Sequence, residues 1–151
     1  GMRHSLAGHT DSIVDHRAGF YERNEQGTVL NAPHVDNSYK WAGGGFLSTP
    51  EDLIRFGTAH IGPGVLEEGA LSSMFRSQVL TCGTETGYEV GWFSVINEKG
   101  ERIIHHGGGS VGGTAMLFVN RDTGLVVAAS GNLTGGPTRD MAPRIADVFG
   151  R

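Results

Sequence analysis

The sequence has 151 residues, 38% apolar and 19% charged, which suits a globular domain with a real core and argues against disorder. A net charge of −4, a pI near 5.9 and the lack of a basic cluster argue against nucleic acid or an anionic membrane as partner and leave small molecules. No run approaches the ~18 apolar residues of a membrane span, and the N-terminus has no charged-then-apolar leader pattern.

The opening Gly1-Met2 is read as a tag-cleavage scar, with the natural start at Met2 or further upstream in a longer gene. Residues 2–47 are loop-rich, and one or two short strands are expected around Ile13-Val14, Phe20-Tyr21 and Val29-Leu30. A helix then starts at Ser48-Thr49-Pro50-Glu51-Asp52. Thr49 caps with Asp52 three residues on, Pro50 pre-sets the first-turn φ, and both acids suit the positive end of the helix dipole. That helix is expected to end by Gly62-Pro63-Gly64, with a second near 67–77 carrying Leu71, Met74 and Phe75 on one stripe, so that 48–78 is helical.

From 86 to 131 the texture is that of strands. Tyr88, Val90, Trp92, Ser94 and Ile96 alternate, a turn falls at Asn97-Glu98-Lys99-Gly100, and Arg102 to His105 resume an extended run. Thr114 to Val119 and Leu125 to Ala129 follow, joined by Asn120 to Gly124. Connections this short cannot carry a parallel crossover, so the four segments form an antiparallel meander. A C-terminal helix over 137–150 closes the chain, with Met141, Ile145, Val148 and Phe149 on one side and Pro143 limiting how early it starts. The fold class is α+β, an antiparallel sheet of about four strands packed with helices, in a single domain over 2–151. The lone Cys82 excludes an internal disulfide and is expected to be a small buried or half-buried filler.

Twenty-five glycines are more than double the usual share of about 7%. They cluster at 43–45, 62–64, 107–113 and 131–136. The densest cluster lies in Ile103-Ile104-His105-His106-Gly107-Gly108-Gly109-Ser110-Val111-Gly112-Gly113-Thr114, a polar bend between two apolar runs where backbone can approach a ligand closely. Gly107-x-Gly109-x-x-Gly112 spells a dinucleotide fingerprint, but that motif must open a helix and here a strand follows. His106-Gly107-Gly108-Gly109 resembles a lipase oxyanion loop and Gly108-x-Ser110-x-Gly112 a nucleophile elbow. The two overlap, and no histidine follows Ser110. The seven histidines match no zinc spacing, so no metal and no cofactor is expected. The remaining reading places the bend at the end of a strand lining a cleft. There His106 hydrogen-bonds a substrate or nucleophile, and the Gly109 amide faces an acyl oxygen that becomes an oxyanion in the transition state.

Four stretches resemble the penicillin-recognising serine hydrolases of the class C β-lactamase type, which include D-Ala-D-Ala peptidases, esterases and mitochondrial serine β-lactamase-like proteins. Gly1-Met2-Arg3-His4-Ser5 is similar to the family's L-G-M-x-x-T segment, and Arg17-Ala18-x-x-Tyr21 to its R-A-x-x-Y. Asp36 to Leu53 is similar to the G-G-x-x-S-T-x-x-D-L stretch, and His106 to Gly112 to the strand motif H/K-T/S-G. The resemblance implies a partial β-lactamase/transpeptidase-like fold, the C-terminal part of a longer protein. Its substrate would be a small acyl compound: β-lactam, peptide or ester. Family members acylate the serine of an S-x-x-K motif, aided by a Y-x-N tyrosine, both upstream of the matched region. Here Lys40 and Lys99 are preceded at minus three by Asn37 and Ile96, and Tyr21, Tyr39 and Tyr88 are followed at plus two by Arg23, Trp41 and Val90. Both motifs are absent, and the chain alone is expected to be inactive.

Carried over, His106 stands at the cationic position of the strand motif, Gly107, Gly108 and Ser110 border the substrate, and Gly109 supplies an oxyanion-hole amide. Asn132 is matched to an asparagine near the substrate carboxylate. Histidine in the place of lysine weakens attraction for that carboxylate, because an imidazole with a reference pKa of about 6.5 is mostly neutral at pH 7. In the family, strands and a helix from the N-terminal region complete the sheet and cover one face, so a homodimer or segment-swapped oligomer is expected of this chain. The alternative is a non-catalytic ligand-binding or interaction module derived from the same fold.

Overall fold

The computed structural model describes residues 1–62 and 64–150; Pro63, in the expected helix-ending turn, lies outside them. The N-terminal region holds short strands β1 (Leu6–Ala7), β2 (Tyr21–Arg23) and β3 (Val29–Asn31), a 3₁₀ turn over Ser38–Gly43, and β4 (Phe46–Leu47). Helices α1 (Pro50–Thr58) and α2 (Glu68–Met74) follow. Then come β5 (Phe93–Ile96), β6 (Arg102–Ser110), β7 (Gly113–Asn120) and β8 (Leu125–Gly131), and helix α3 (Thr138–Phe149) ends the chain. Strands β5 to β8 form the expected antiparallel meander in sequence order, while β1 pairs with β4 and β2 with β3.

Side-chain alternation along the sheet divides the core in two. On one face Ile104, Leu117 and Val119 pack with Leu71, Phe75 and Trp92, closed over by Leu53, Val126 and Ala128. On the other, Met116 and Val127 meet Ala142 and Ala146 of α3. Helix α1 lies so close to the sheet that a Cβ at Gly57 would come 2.8 Å from Val126 Cγ1 and 3.1 Å from Val119 Cγ2. At the C-terminal end of α1, buried His60 donates from Nδ1 to the Phe56 carbonyl at 2.8 Å and packs edge-on against Trp92.

Three expectations are corrected. Tyr88 to Ile96 is not one strand. Gly91, at φ +78°, reverses the chain, the Glu89 N–H donates to the Trp92 carbonyl at 2.7 Å, and Tyr88 bridges to Phe93. Glu89 and Trp92 both turn inward although they stand three positions apart, so the period of two that the apolar residues spell in the sequence is not kept through the turn. Helix α3 starts at Thr138, beside the expected 137, and runs through Pro143, which does not limit its start; proline removes only the one N–H that would reach back to Arg139. Its packed stripe is Thr138, Ala142 and Ala146, whose small side chains let it approach the sheet, whereas Met141, Val148 and Phe149 are exposed. Cys82 is exposed as well, in a turn closed by the Gly83 N–H on the Leu80 carbonyl, where its thiol lies 3.4 Å from Thr84 Oγ1.

The cap on α1 forms as its sequence dictates, with Thr49 Oγ1 accepting from the Asp52 amide at 3.3 Å. Asp52 itself does more than complement the helix dipole. Fully buried, it accepts from the amides of Arg3 at 3.2 Å and His4 at 2.6 Å, from Ser5 Oγ at 2.9 Å and from Arg55 at 2.7 Å. Burial on its own would raise the Asp52 carboxyl, but these donors outweigh it and hold the group well below the usual carboxylate range. A depressed folded pKa means stability that is present above about pH 4, the unfolded carboxylate value, and lost as pH falls toward the folded one. Asp52→Asn is therefore expected to lower the thermal midpoint at pH 7, and the gap to wild type should narrow in melts recorded progressively below pH 4. A gap independent of pH would contradict this account.

Candidate active site

Strand β5 ends at Phe93, which pairs with His105, so His106 to Ser110 have a neighbour on one side only, β7. The two-residue connection Val111-Gly112, with Gly112 at φ +79°, makes Ser110 and Gly113 the closing pair. Such a pair exchanges hydrogen bonds, and pairs alternate along an antiparallel ladder. The N–H and C=O of Gly109, and those of Gly107, therefore point away from β7, past the end of β5. Both Gly108 and Gly109 have open space where a Cβ would stand, whereas one at Gly107 would come 2.9 Å from Met116 Sδ.

A cleft of about 400 Å³ runs beside this overhang, the size of a small-molecule site. Gly108, Gly109 and Ser110 line one wall. The other is built from 8–10, 35–38 and 43–48, with Arg17 and Phe20 also lining the cleft. Asn37 links the walls, its Nδ2 donating to Ser110 Oγ at 3.0 Å. The backbone behind it leaves no room for a side chain, since a Cβ at Gly45 would sit 2.7 Å from the Asn37 carbonyl oxygen and 2.8 Å from the Trp41 nitrogen. The second wall is fixed at its base by the β1–β4 pairing of Leu6 with Leu47 and Ala7 with Phe46.

The residues singled out from sequence are placed unequally. Gly108, Gly109 and Ser110 border the cleft; Gly107 is half-buried beneath them on the α3 side. His106 shares the face of Gly108 and Ser110 but is exposed beyond the lining, with Nε2 3.4 Å from the Tyr88 hydroxyl and its ring stacked on Phe93 at 5.8 Å. Its neighbour His105 is half-buried and held below the ordinary histidine value by burial, with the charges of His106 and Arg139 adding to the effect. Asn132 is engaged with backbone: its Nδ2 donates to the Gly19 carbonyl at 3.0 Å, and its own carbonyl accepts from the Tyr21 amide at 3.0 Å. Asn37, Arg17 and Phe20 were not expected to line a site. Each depends on partners tens of residues away, and the only local signal was their place inside the stretches that carry the family resemblance.

Chemically, the arrangement offers an unobstructed backbone donor at Gly109, hydroxyl and amide groups at Ser110 and Asn37, and one cation, Arg17. Among the described residues no three His, Cys, Asp or Glu side chains converge as a metal site would require.

Comparison with known proteins agrees with this architecture. The Beta-lactamase family matches residues 1–149. The mitochondrial serine beta-lactamase-like protein LACTB is 32% identical over 134 residues in Homo sapiens and in Mus musculus, covering 72% of this chain and 24% of each relative. The chain thus spans about a quarter of the length of these relatives. Among solved structures, the octameric penicillin-binding protein homologue from Pyrococcus abyssi superposes with a TM-score of 0.74 at 23% identity, over 99% of this chain and 35% of that one. The penicillin-binding protein from Bacillus halodurans gives 0.73 at 20%, over 96% and 45%. A D-stereospecific amidohydrolase from Streptomyces sp. gives 0.70 at 21%, over 93% and 42%. With a family match across nearly its whole length, the chain belongs to the beta-lactamase family of serine hydrolases.

Proposed function

We propose that this chain forms the electrostatic wall of an acyl-transfer site, whose attacking serine and activating lysine and tyrosine come from residues outside this sequence. The observation that carries the reading is the direction of the Gly109 amide. It points past the end of β5 into open space beside the cleft, where a donor would meet the oxygen of an acyl group without displacing a sheet partner. Gly107, Gly108 and Ser110 shape that edge, and His106 faces the part of the substrate nearest β5. The absence of S-x-x-K and Y-x-N supports the division of labour, since the family's chemistry needs a nucleophile that these residues lack. Asn132 acts in this reading through the Gly19–Tyr21 segment that it holds.

With an imidazole where a lysine ammonium would attract a β-lactam carboxylate, the parent is an esterase or peptidase rather than an efficient β-lactamase. Measured on the full-length parent, kcat/KM for a p-nitrophenyl ester should exceed that for nitrocefin, and strong preference for nitrocefin would defeat the assignment. In the same enzyme Gly109→Pro removes the amide proton without removing a ladder bond to β7. It should reduce kcat by about 10²- to 10³-fold, the usual cost of one oxyanion donor, with KM little changed. An unaltered kcat would clear Gly109 of the role.

The chain also exposes apolar groups on β5, where Phe93, Val95 and Ile96 are 44%, 48% and 61% accessible, on an edge strand whose outer side is met by Gly87 and Tyr88 at the Phe93–Ser94 end. Edges and patches of this kind recruit partners, and the Pyrococcus abyssi homologue is octameric. Light scattering at tens of micromolar is expected to give the mass of two chains or more; a strictly monomeric species would count against association.

A further inference from the structure

We infer that Arg17 makes the Gly112 end of the cleft a subsite for an anionic group, so that the acyl compound this site takes carries a carboxylate on the portion remote from His106. The inference rests on the acyl-cleft reading and adds the substrate class to it.

Among the described residues Arg17 is the one lysine or arginine that lines the cleft, and no carboxylate there lies within salt-bridge distance of it. Its guanidinium carbon stands 5.5 Å from the centroid of the Phe20 ring. Among the described residues no side-chain hydrogen bond or ion pair engages the guanidinium, and its N–H fork is suited to two carboxylate oxygens at once.

The platform beneath the guanidinium is fixed on every side. Gly112 lets Phe20 approach the β6–β7 turn so closely that any Cβ there would collide with the Phe20 side chain. The Phe20 carbonyl accepts from the Ala32 amide at 2.9 Å, and the Gly112 amide donates to Thr134 Oγ1 at 2.7 Å. Around it, Asn132 holds Gly19 and Tyr21, as described above. Arg17 is thus an exposed cation mounted on an ordered seat, which cuts the entropy of engaging a ligand.

Asp36 is the only acid in the same lining among the described residues, and its charge is already answered locally. Ser38 hydrogen bonds, from the hydroxyl and from the amide at 2.8 Å, hold its carboxyl below the ordinary value, with His34 and His9 adding smaller effects. Arg17 has no comparable partner. Gly109 stands three positions before Gly112, with Ser110 closing the strand and Val111 opening the β6–β7 turn between them. Gly109 and Arg17 line the same cleft, so an acyl compound that meets both carries its carbonyl and its carboxylate on one short chain, which describes esters or amides of a dicarboxylic acid.

The test uses this chain, isotope-labelled, titrated with monomethyl adipate and with dimethyl adipate while the Gly108, Gly109, Ser110 and Gly112 amide resonances are followed. The monoanion should bind at least about 10-fold more tightly than the neutral diester. Arg17→Gln should abolish the difference, and Arg17→Lys should keep part of it. Equal binding of the two esters by wild type, or an undiminished preference in Arg17→Gln with its spectrum otherwise intact, would overturn the inference and leave the cleft reading standing, provided the glycine amides still respond. If neither compound moves those amides, the cleft reading falls and the subsite with it.

Discussion

One buried carboxylate holds the two walls of the cleft in one piece. Asp52 belongs to α1, which is packed against β7 and β8, yet three of its four side-chain partners lie at Arg3, His4 and Ser5. The hydroxyls of Ser5 and Ser48, 2.7 Å apart, complete the join. From there the chain enters β1 and reaches Gly8, His9 and Thr10 on the cleft wall. A segment with almost no apolar core of its own is ordered by polar contacts to a helix that has one. Leaving any of these buried donors unpaired would cost the desolvation of that group, which is why the segment has one position rather than several.

The facing wall depends on a mismatch of strand lengths. β6 runs nine residues and β5 four, so the far half of β6 has an open edge. An open edge ordinarily invites another strand. Here glycines make it narrow and featureless, and its free donors are presented to the cleft. Side chains at 108 and 109 would meet nothing in this chain, so the glycines there are not explained by internal packing; under the proposed function they leave room for a ligand. Gly107, Gly112 and Gly45 differ, since each sits where a Cβ would strike a neighbour. One composition bias therefore serves two purposes within a few residues.

What could be read from the sequence follows the range of the interactions involved. Thr49-Pro50-x-Asp52 announces a helix start because a cap is made within four residues, and the meander follows from loop lengths that permit nothing else. The strand misread at Tyr88 failed for a local reason: a glycine in the left-handed region reverses the chain, and the buried positions beside it, Glu89 and Trp92, fall out of the period of two. The stripe on α3 was misjudged because large apolar residues were given more weight than Ala142 and Ala146, although close approach to a sheet selects small ones. Asn37 and Arg17 could not be located at all. Their significance is set by Ser110, seventy-three positions away, and by Gly112, and no periodicity encodes such pairings. The glycine cluster was legible as a strand end beside a cleft; the position of His106 outside the cleft lining was not, because it depends on Tyr88 and Phe93 folding back beside it.

Charge placement then separates the part of the site that drives chemistry from the part that selects a substrate. In the proposed site a backbone amide at Gly109 would act on charge that develops in the transition state, indifferent to the side chains around it, and so would tolerate a histidine at the cationic position of the strand motif. Side-chain cations act on charge already present in the ground state and so choose which acyl compounds enter. In this chain the fixed positive charge lies at the Gly112 end, on a guanidinium seated over Phe20, while the His106 end offers an exposed imidazole stacked on Phe93. Under the proposed function a carboxylate near the β5 end would gain less than one lying along the β6–β7 turn, and that difference would set the direction in which a substrate lies along β6.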